Sequence, residues 1–427
     1  MQQSRSLSTQ DAPPIALLFA VQPPQQDDDE TLASLAELAH LLKGLGAHPV
    51  GTLVQRQNQP SGTMVLGAGK LEELREMLDA TRERTDGHVV LVFDGELTPG
   101  QQRNLTREFD VEVLDRTQVI LRIFSQRART RTAQLEIELA ELQYESPRIR
   151  DDEALGDKQS GGGGRGAKGN TNVELRKQEI RKRLAFLREE IRKAEKSQAA
   201  RRERRQQVSA IALVGYTNAG KSSWMRALTG SEVLVQDALF ATLDTTVRQL
   251  HPPTQPRIVV ADTVGFLRNL PNHLLASFRS TLDEALDADL LVIVIDGSDR
   301  EWQAHLDTTR GVLAEVNADE MPTLYLVNKI DRMTPEAVAT IRDQLPNALF
   351  VSSRSPDDVS AVHSRIVEFF DLRLTQAELH VPFSQAALRA EIHDNARVLT
   401  ETFDEHGALL VVRAEPATLT KWQTRLT

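Results

Sequence analysis

The run Gly215-Tyr216-Thr217-Asn218-Ala219-Gly220-Lys221-Ser222 sets two glycines, a lysine and a serine at the spacing G-x-x-x-x-G-K-[ST]. It stands directly behind the apolar segment Ile211-Ala212-Leu213-Val214 and ahead of a predicted helix, Ser223-Trp224-Met225-Arg226-Ala227-Leu228. Glycines let the backbone turn so that several N–H groups aim at one anion, and the helix end behind them is electropositive. The chemistry on offer is the holding of a phosphate chain. Lys221 is expected to reach the β- and γ-phosphates, and the Ser222 hydroxyl to take one position on Mg²⁺.

Further stretches fit the same site. The strand Val259-Val260-Ala261 runs into Asp262-Thr263-Val264-Gly265, a D-x-x-G in which Asp262 can hold Mg²⁺ and the Gly265 N–H can sense the γ-phosphate. Leu291-Val292-Ile293-Val294-Ile295-Asp296 reads as another buried strand, and Thr323-Leu324-Tyr325-Leu326-Val327 ends in Asn328-Lys329-Ile330-Asp331. In that N-K-x-D pattern the Asp331 carboxylate matches guanine N1–H and N2–H₂, and adenine presents neither donor. Leaving such a carboxylate unpaired costs about 1–3 kcal/mol, so the site selects guanine. A last strand, Ala348-Leu349-Phe350-Val351, leads to Ser352-Ser353-Arg354, expected to offer backbone N–H groups to guanine O6. Between the phosphate loop and D-x-x-G lies Phe240-Ala241-Thr242-Leu243-Asp244-Thr245-Thr246. One threonine there should complete the Mg²⁺ shell, and Thr242 is taken ahead of Thr245 and Thr246. The nucleotide is therefore GTP or GDP, with Mg²⁺ held by Ser222, Thr242 and Asp262.

Catalysis has a visible gap. Where a Ras-like enzyme puts the glutamine that orients water, directly after Gly265, this chain has Phe266, which cannot hydrogen-bond. Lys221, Thr242 and Gly265 assist, but no residue is certain to position the water. Intrinsic hydrolysis should be slow, with the missing group coming from a partner, from backbone near Thr245-Thr246, or from a reoriented His273.

Strand and helix alternate in the elements that must carry these loops, which is the pattern of a doubly wound sheet. The same alternation fills the first part of the chain. Ile15 to Val21, Val50 to Val54, Val89 to Phe93 and Val111 to Asp115 read as strands, with helices over the Leu32–Leu42 repeat, Leu71 to Thr81, and from Leu97-Thr98-Pro99. Gly67-Ala68-Gly69-Lys70 lacks the spacing and serine of a phosphate loop and reads as a structural turn. Asp94 and Asp115, at strand ends, read as helix caps ahead of site carboxylates. From Val119 the pattern is helical as far as Pro147. The glycine-rich stretch from Gly161 to Gly169 then leads to a second helix, Val173 to Arg205, with an apolar stripe of Ile180, Leu184, Leu187 and Ile191. Two such helices suggest an antiparallel pair. At the end, His380-Val381-Pro382-Phe383 reads as a strand, Ser384 as an N-cap, Gln385 to Asn395 as a helix, and Val398–Phe403 with Ala408–Val412 as a hairpin.

Composition limits the alternatives. A chain of 427 residues has room for about three domains. With no cysteine it has no disulfide, thiolate zinc site or cysteine nucleophile. The run Ile15 to Val21 is too short to span a bilayer, and no H-x-x-x-H metal pair occurs. Net charge is −10, yet residues 176–205 carry thirteen Lys and Arg against five Glu. With Arg165 and Lys168 before it, and Arg201, Arg202, Arg204 and Arg205 at its end, that segment reads either as a solvated helix face or as a basic arm suited to phosphate contacts with structured RNA.

The guanine-nucleotide set resembles a translation-type GTPase, and Phe240 to Asp244 with Asp262-Thr263-Val264-Gly265-Phe266 resembles the HflX family in particular. Asp115-Arg116-Thr117 followed by Ile123-Phe124-Ser125-Gln126-Arg127-Ala128 is similar to that family's entry into its helical arm, as is the glycine-rich loop with Arg165-Gly166. The resemblance covers nearly the whole chain. It implies a multi-domain α/β protein: a loose tail (1–14), an N-terminal nucleotide-binding-like α/β domain (15–116), a helical arm (117–206), a doubly wound P-loop GTPase domain (207–373) and a small C-terminal α/β domain (374–427). It implies GTP-dependent binding to the large ribosomal subunit and its RNA, separation of the subunits of stalled or idle ribosomes, and a cytoplasmic monomer, transiently at the ribosome or a membrane surface, with no membrane span. A GTP-dependent scaffold that holds a non-ribosomal protein on the arm is the other reading. Three departures stand out: Arg165-Gly166-Ala167-Lys168-Gly169-Asn170-Thr171 where the family has R-G-P-G-E-T, Thr245 for proline, and Ser353 for alanine.

Overall fold

The computed structural model describes residues 13–59, 62–85, 87–149, 166–205, 209–230, 246–268 and 287–426. The expected positions Phe240, Ala241, Thr242, Leu243, Asp244, Thr245 and His273 lie outside them, as do Gly161 to Arg165 and the side chains of Lys168, Arg201, Arg202, Arg204 and Arg205.

The first sheet takes β1 (Ile15–Gln22), β2 (His48–Arg56), β3 (Val89–Phe93) and β4 (Glu112–Asp115) in the order β2-β1-β3-β4, all parallel. Helices α1 (Asp28–Gly44), α2 (Ala68–Arg84) and α3 (Pro99–Phe109) make the crossovers. Strand β3, and β1 as far as Val21, are apolar because such crossovers cover both faces of a parallel sheet. Gly67 is the N-cap of α2, and Lys70 pairs with Glu73 at 2.6 Å, so that segment is the structural turn expected.

Asp115 caps α4 (Arg116–Arg127) in a capping box with Gln118. It also accepts from Tyr144 Oη at 2.6 Å and from Leu97 N–H at 3.0 Å. Burial pushes its carboxyl above the usual range, and those donors oppose the shift. Asp94 is not a cap: it accepts from the buried Arg116 at 2.7 Å, and Arg116 also pairs with Glu37. The helical pattern from Val119 is broken where a single helix was expected. Ala128 is extended, and Thr130 starts a new helix, α5 (Arg131–Glu145), by accepting from Ala133 N–H. A local cap outweighs continuous periodicity there. The next helix, α6 (Gly166–Arg205), begins seven residues before the expected Val173. Leu135 of α5 packs with Leu187 and Ile191, and Glu138 pairs with Arg183 at 2.6 Å, so α5 and α6 run antiparallel.

The second sheet has the order β10-β9-β8-β5-β7-β6. Its strands are β5 (Ser209–Val214), β6 (Thr246–Gln249), β7 (Ile258–Asp262), β8 (Leu290–Asp296), β9 (Thr323–Asn328) and β10 (Leu349–Phe350). All pairs are parallel except β6 with β7, in which Thr246 stands opposite Asp262. Described helices on this sheet are α7 (Lys221–Thr229), α8 (Trp302–Glu315), α9 (Pro335–Gln344) and α10 (Pro356–Asp371). Trp224, Met225 and Leu228 of α7 pack with Val292, Leu326 and Phe370 in one core.

The third sheet is antiparallel in the order β11-β13-β12: β11 (Thr375–Pro382), β12 (Arg397–Phe403) and β13 (Gly407–Ala414). Ser384 is not a cap; Phe383–Gln385 forms a 3₁₀ turn, and α11 (Ala386–Asn395) follows it. A final helix, α12 (Pro416–Leu426), was not expected, although Leu419 and Trp422 at helical spacing behind Pro416 are its signal, and Trp422 is central to that core. The chain divides into two compact units, one with the first sheet, α4, α5 and most of α6, the other with the second and third sheets.

Tyr144→Phe removes a donor from a buried carboxylate, at a cost of about 1–3 kcal/mol. Amide hydrogen exchange is expected to speed up across β4 and α5 and stay unchanged in β5 and β8; an unaltered β4 would contradict this role.

Candidate functional site

The carboxyl ends of β5, β7, β8, β9 and β10 bring the described motifs together. The turn after β5 contains Asn218 at φ 60° and Gly220 at φ 104°. A side chain at Gly220 would be strained there, and its Cβ would stand 2.2 Å from Asn328 Nδ2. Lys221, at the start of α7, is buried, and its ammonium donates to Gly215 O at 3.0 Å and Tyr216 O at 2.8 Å. An ammonium has three protons, so one remains for a phosphate oxygen. Burial pulls its pKa down to about 8, with the Asp262 carboxylate acting the other way.

Ser222 Oγ donates to Asp262 Oδ2 at 3.0 Å, and Asp262 is buried at the end of β7. A hydroxyl and a carboxylate oxygen side by side are the hard donors that Mg²⁺ takes, so the pair fits that ion. Thr263, grouped with the binding residues, spends its hydroxyl on Leu213 O at 2.8 Å and serves the strand pairing; Val264 is also buried. A Cβ on Gly265 would stand 2.9 Å from Thr217 Cα and 2.8 Å from its Cγ2, so glycine lets this loop lie against the backbone of the phosphate loop. Phe266 is buried and joined to the phosphate loop at both backbone groups: its N–H donates to Gly215 O at 3.1 Å, and its carbonyl accepts from Thr217 N–H at 2.8 Å.

The base end is tied to the same turn. Asn328 Nδ2 donates to Ala219 O at 2.8 Å, and Ser353 N–H donates to Asn328 Oδ1 at 3.3 Å. Lys329, in left-handed backbone at φ 64°, donates to Asn218 O at 2.9 Å and to Asp296 Oδ2 at 2.6 Å. Ile330 opens the short 3₁₀ turn that carries Asp331. Asp331 Oδ1 accepts from Ser352 Oγ at 2.7 Å, and that hydroxyl holds the carboxyl below the usual range with Arg354 assisting. An ionised Asp331 can accept both guanine donors. Of the N–H groups expected to face O6, that of Ser352 goes to Asp358 at 2.8 Å and that of Ser353 to Asn328, while Arg354 N–H reaches Ser352 Oγ only at 3.4 Å.

Two participants were missed by the motif reading. Asp296 was expected only as a strand end, yet it anchors Lys329. His305 of α8 stacks on the Tyr216 ring at 3.8 Å between centroids and 12° between planes. Its signal was weak, since histidines are scattered along the chain.

Residues 32–125 match the family model described as GTP-binding GTPase N-terminal, 127–205 the GTP-binding GTPase Middle Region, and 210–329 the 50S ribosome-binding GTPase. GTPase HflX of Gluconacetobacter diazotrophicus is 43% identical, over 97% of this chain and 98% of that protein. The chain belongs to the HflX family of GTPases. GTPase HflX of Escherichia coli K12 is 33% identical over 89% of each chain. The solved structure of a GTP-binding protein from Sulfolobus solfataricus in complex with GDP is 23% identical, covering 83% of this chain and 97% of that one at a TM-score of 0.42, and adds nothing to the assignment. Membership makes this a GTP-binding and GTP-hydrolysing HflX-type enzyme. Among the described residues no helix is long and apolar enough to cross a membrane.

Asp331→Asn replaces an acceptor with a group that also presents donors. GTP affinity is expected to fall roughly ten- to hundredfold, about 1–3 kcal/mol, and xanthosine triphosphate, which offers a carbonyl where guanine has its amine, to gain relative to GTP. Titration calorimetry with both nucleotides checks it, and unchanged preference would remove Asp331 from the base site.

Proposed function

We propose that this HflX-family GTPase binds the large ribosomal subunit in its GTP state, through the helical arm, and separates the subunits of stalled or idle ribosomes. The observation that carries the reading is the arm itself. Arg176, Arg181, Lys182 and Arg188 of α6 are exposed, while Leu187 and Ile191 face α5. Residues 176–205 carry thirteen Lys and Arg in a chain whose net charge is −10. A basic helical pair with few aromatics contacts phosphate better than it stacks bases. The family model over 210–329 is described as that of a 50S ribosome-binding GTPase, which agrees.

In the nucleotide site, the loop from Gly215 to Gly220 binds the phosphates, Lys221 gives its third proton to them, and Asp331 reads the guanine edge while Asn328, Lys329, Ser352, Ser353 and Arg354 shape the pocket around it. Ser222 and Asp262 would hold Mg²⁺, with Thr242 the expected third group, and a bound ion would supply neutralisation of the phosphate charge. The buried Phe266 leaves water positioning to a group that arrives with the ribosome. The protein works in the cytoplasm, as a monomer that visits the ribosome.

Cosedimentation with each ribosomal subunit under GTP analogue, GDP and no nucleotide tests the reading. Salt-sensitive binding to large subunits under the analogue is expected, with GTP turnover raised at least tenfold by large subunits, since groups supplied in trans reach about 10³–10⁵. Binding that ignores nucleotide and salt, with no gain in turnover, would favour the scaffold with a protein partner.

A further inference from the structure

We infer that His305 is a positioning residue for GTP hydrolysis, acting through its stack on Tyr216 to set the phosphate loop and Phe266. Tyr216 is the second residue of the loop, and its neighbours on both sides are the ones bonded to Phe266: Gly215 accepts from it and Thr217 donates to it. Lys221 also donates to Tyr216 O at 2.8 Å. The backbone at Tyr216 is thus where the phosphate lysine, the loop and the residue after D-x-x-G meet.

What packs against the Tyr216 ring is the His305 imidazole. Beside the stack lies a cavity of about 50 Å³, bordered by Tyr216, Thr217, Asp299, His305 and Thr309. Thr217 Oγ1, which is buried, has no hydrogen-bond partner among the described residues. A loop that borders a cavity can shift, so the flat contact of His305 at 3.8 Å works as a prop. The prop is itself braced. His305 Nδ1 lies 3.6 Å from Asp299 Oδ2, and Asp299 Oδ1 accepts from Glu301 N–H at 2.9 Å in the turn that starts α8. Asp299 N–H reaches Asp296 O at 3.3 Å, and Asp296 holds Lys329. The segment from Asp296 to His305 therefore joins the guanine motif to the γ-phosphate side of the site. His305 acts through Tyr216, the phosphate-loop residue on which its ring stacks.

Hydrolysis tolerates misplacement of its groups poorly, with shifts of about 1 Å costing up to 10²-fold, whereas nucleotide affinity is spread over many contacts. The inference rests on GTP hydrolysis by the chain alone and not on the ribosomal reading, so the assay contains no ribosomes. Single-turnover hydrolysis by the full chain, with GDP and GTP affinity measured beside it, is the test. His305→Ala is expected to lower the rate constant about tenfold with affinities held within about twofold, and His305→Phe, which restores a flat ring, to recover most of the rate. An unchanged rate in His305→Ala, a His305→Phe as slow as the alanine variant, or affinity falling in step with rate would each overturn it. Should His305→Ala fail to fold, Tyr216→Leu removes the same stack from the other side, and a full rate there sinks the inference.

Discussion

The Asn328 carboxamide is buried at the end of β9, with its nitrogen on Ala219 O and its oxygen on Ser353 N–H. A buried amide costs free energy unless its groups are paired, and here both ends are paired with backbone of different loops. That fixes the spacing between the phosphate turn and the segment after β10. It also explains a glycine at 220: the amide occupies the space a side chain there would need. Lys329 repeats the device one residue on, reaching Asn218 and Asp296. Two of the motif's four residues therefore organise protein, and Asp331 is left to read the base.

The remaining site groups are arranged around charge. Lys221 is buried against two carbonyls and a nearby carboxylate, a setting that a bound phosphate chain would relieve. Ser222 and Asp262 bond each other where an ion would sit between oxygens. Phe266, in contrast, contributes through its backbone, and its ring belongs to the interior. The site is built to hold a nucleotide firmly, with little in the described residues devoted to its cleavage.

Much of this was legible in the sequence because the signals were local. Phosphate loop, D-x-x-G and N-K-x-D each sit at the end of an apolar run, and strand ends of a parallel sheet converge by topology. The first sheet was readable for the same reason, as Val89 to Phe93 shows. The failures have physical causes. The break at Ala128 lay hidden because α4 and α5 share helical periodicity, and only the Thr130 cap separates them. Strand β6, four residues long at a sheet edge, has no apolar pattern to reveal it. Asp115 was read as a cap, which it is, but its bond to Tyr144 depends on a fold that spacing alone does not specify. His305 escaped because a stack between α8 and the phosphate loop leaves no trace in either segment.

The antiparallel pair of β6 and β7 adds one more consequence. Thr246 stands opposite Asp262, so the first residue of β6 and the last of β7 share a rung of one ladder. Strand β7 ends in the carboxylate that would face the ion. Strand β7 is paired on both sides, with β5 as well as β6. The Asp262 carboxylate is therefore seated at the end of an interior strand, and β6 covers the outer edge of that strand, which would otherwise present unpaired backbone groups beside the site.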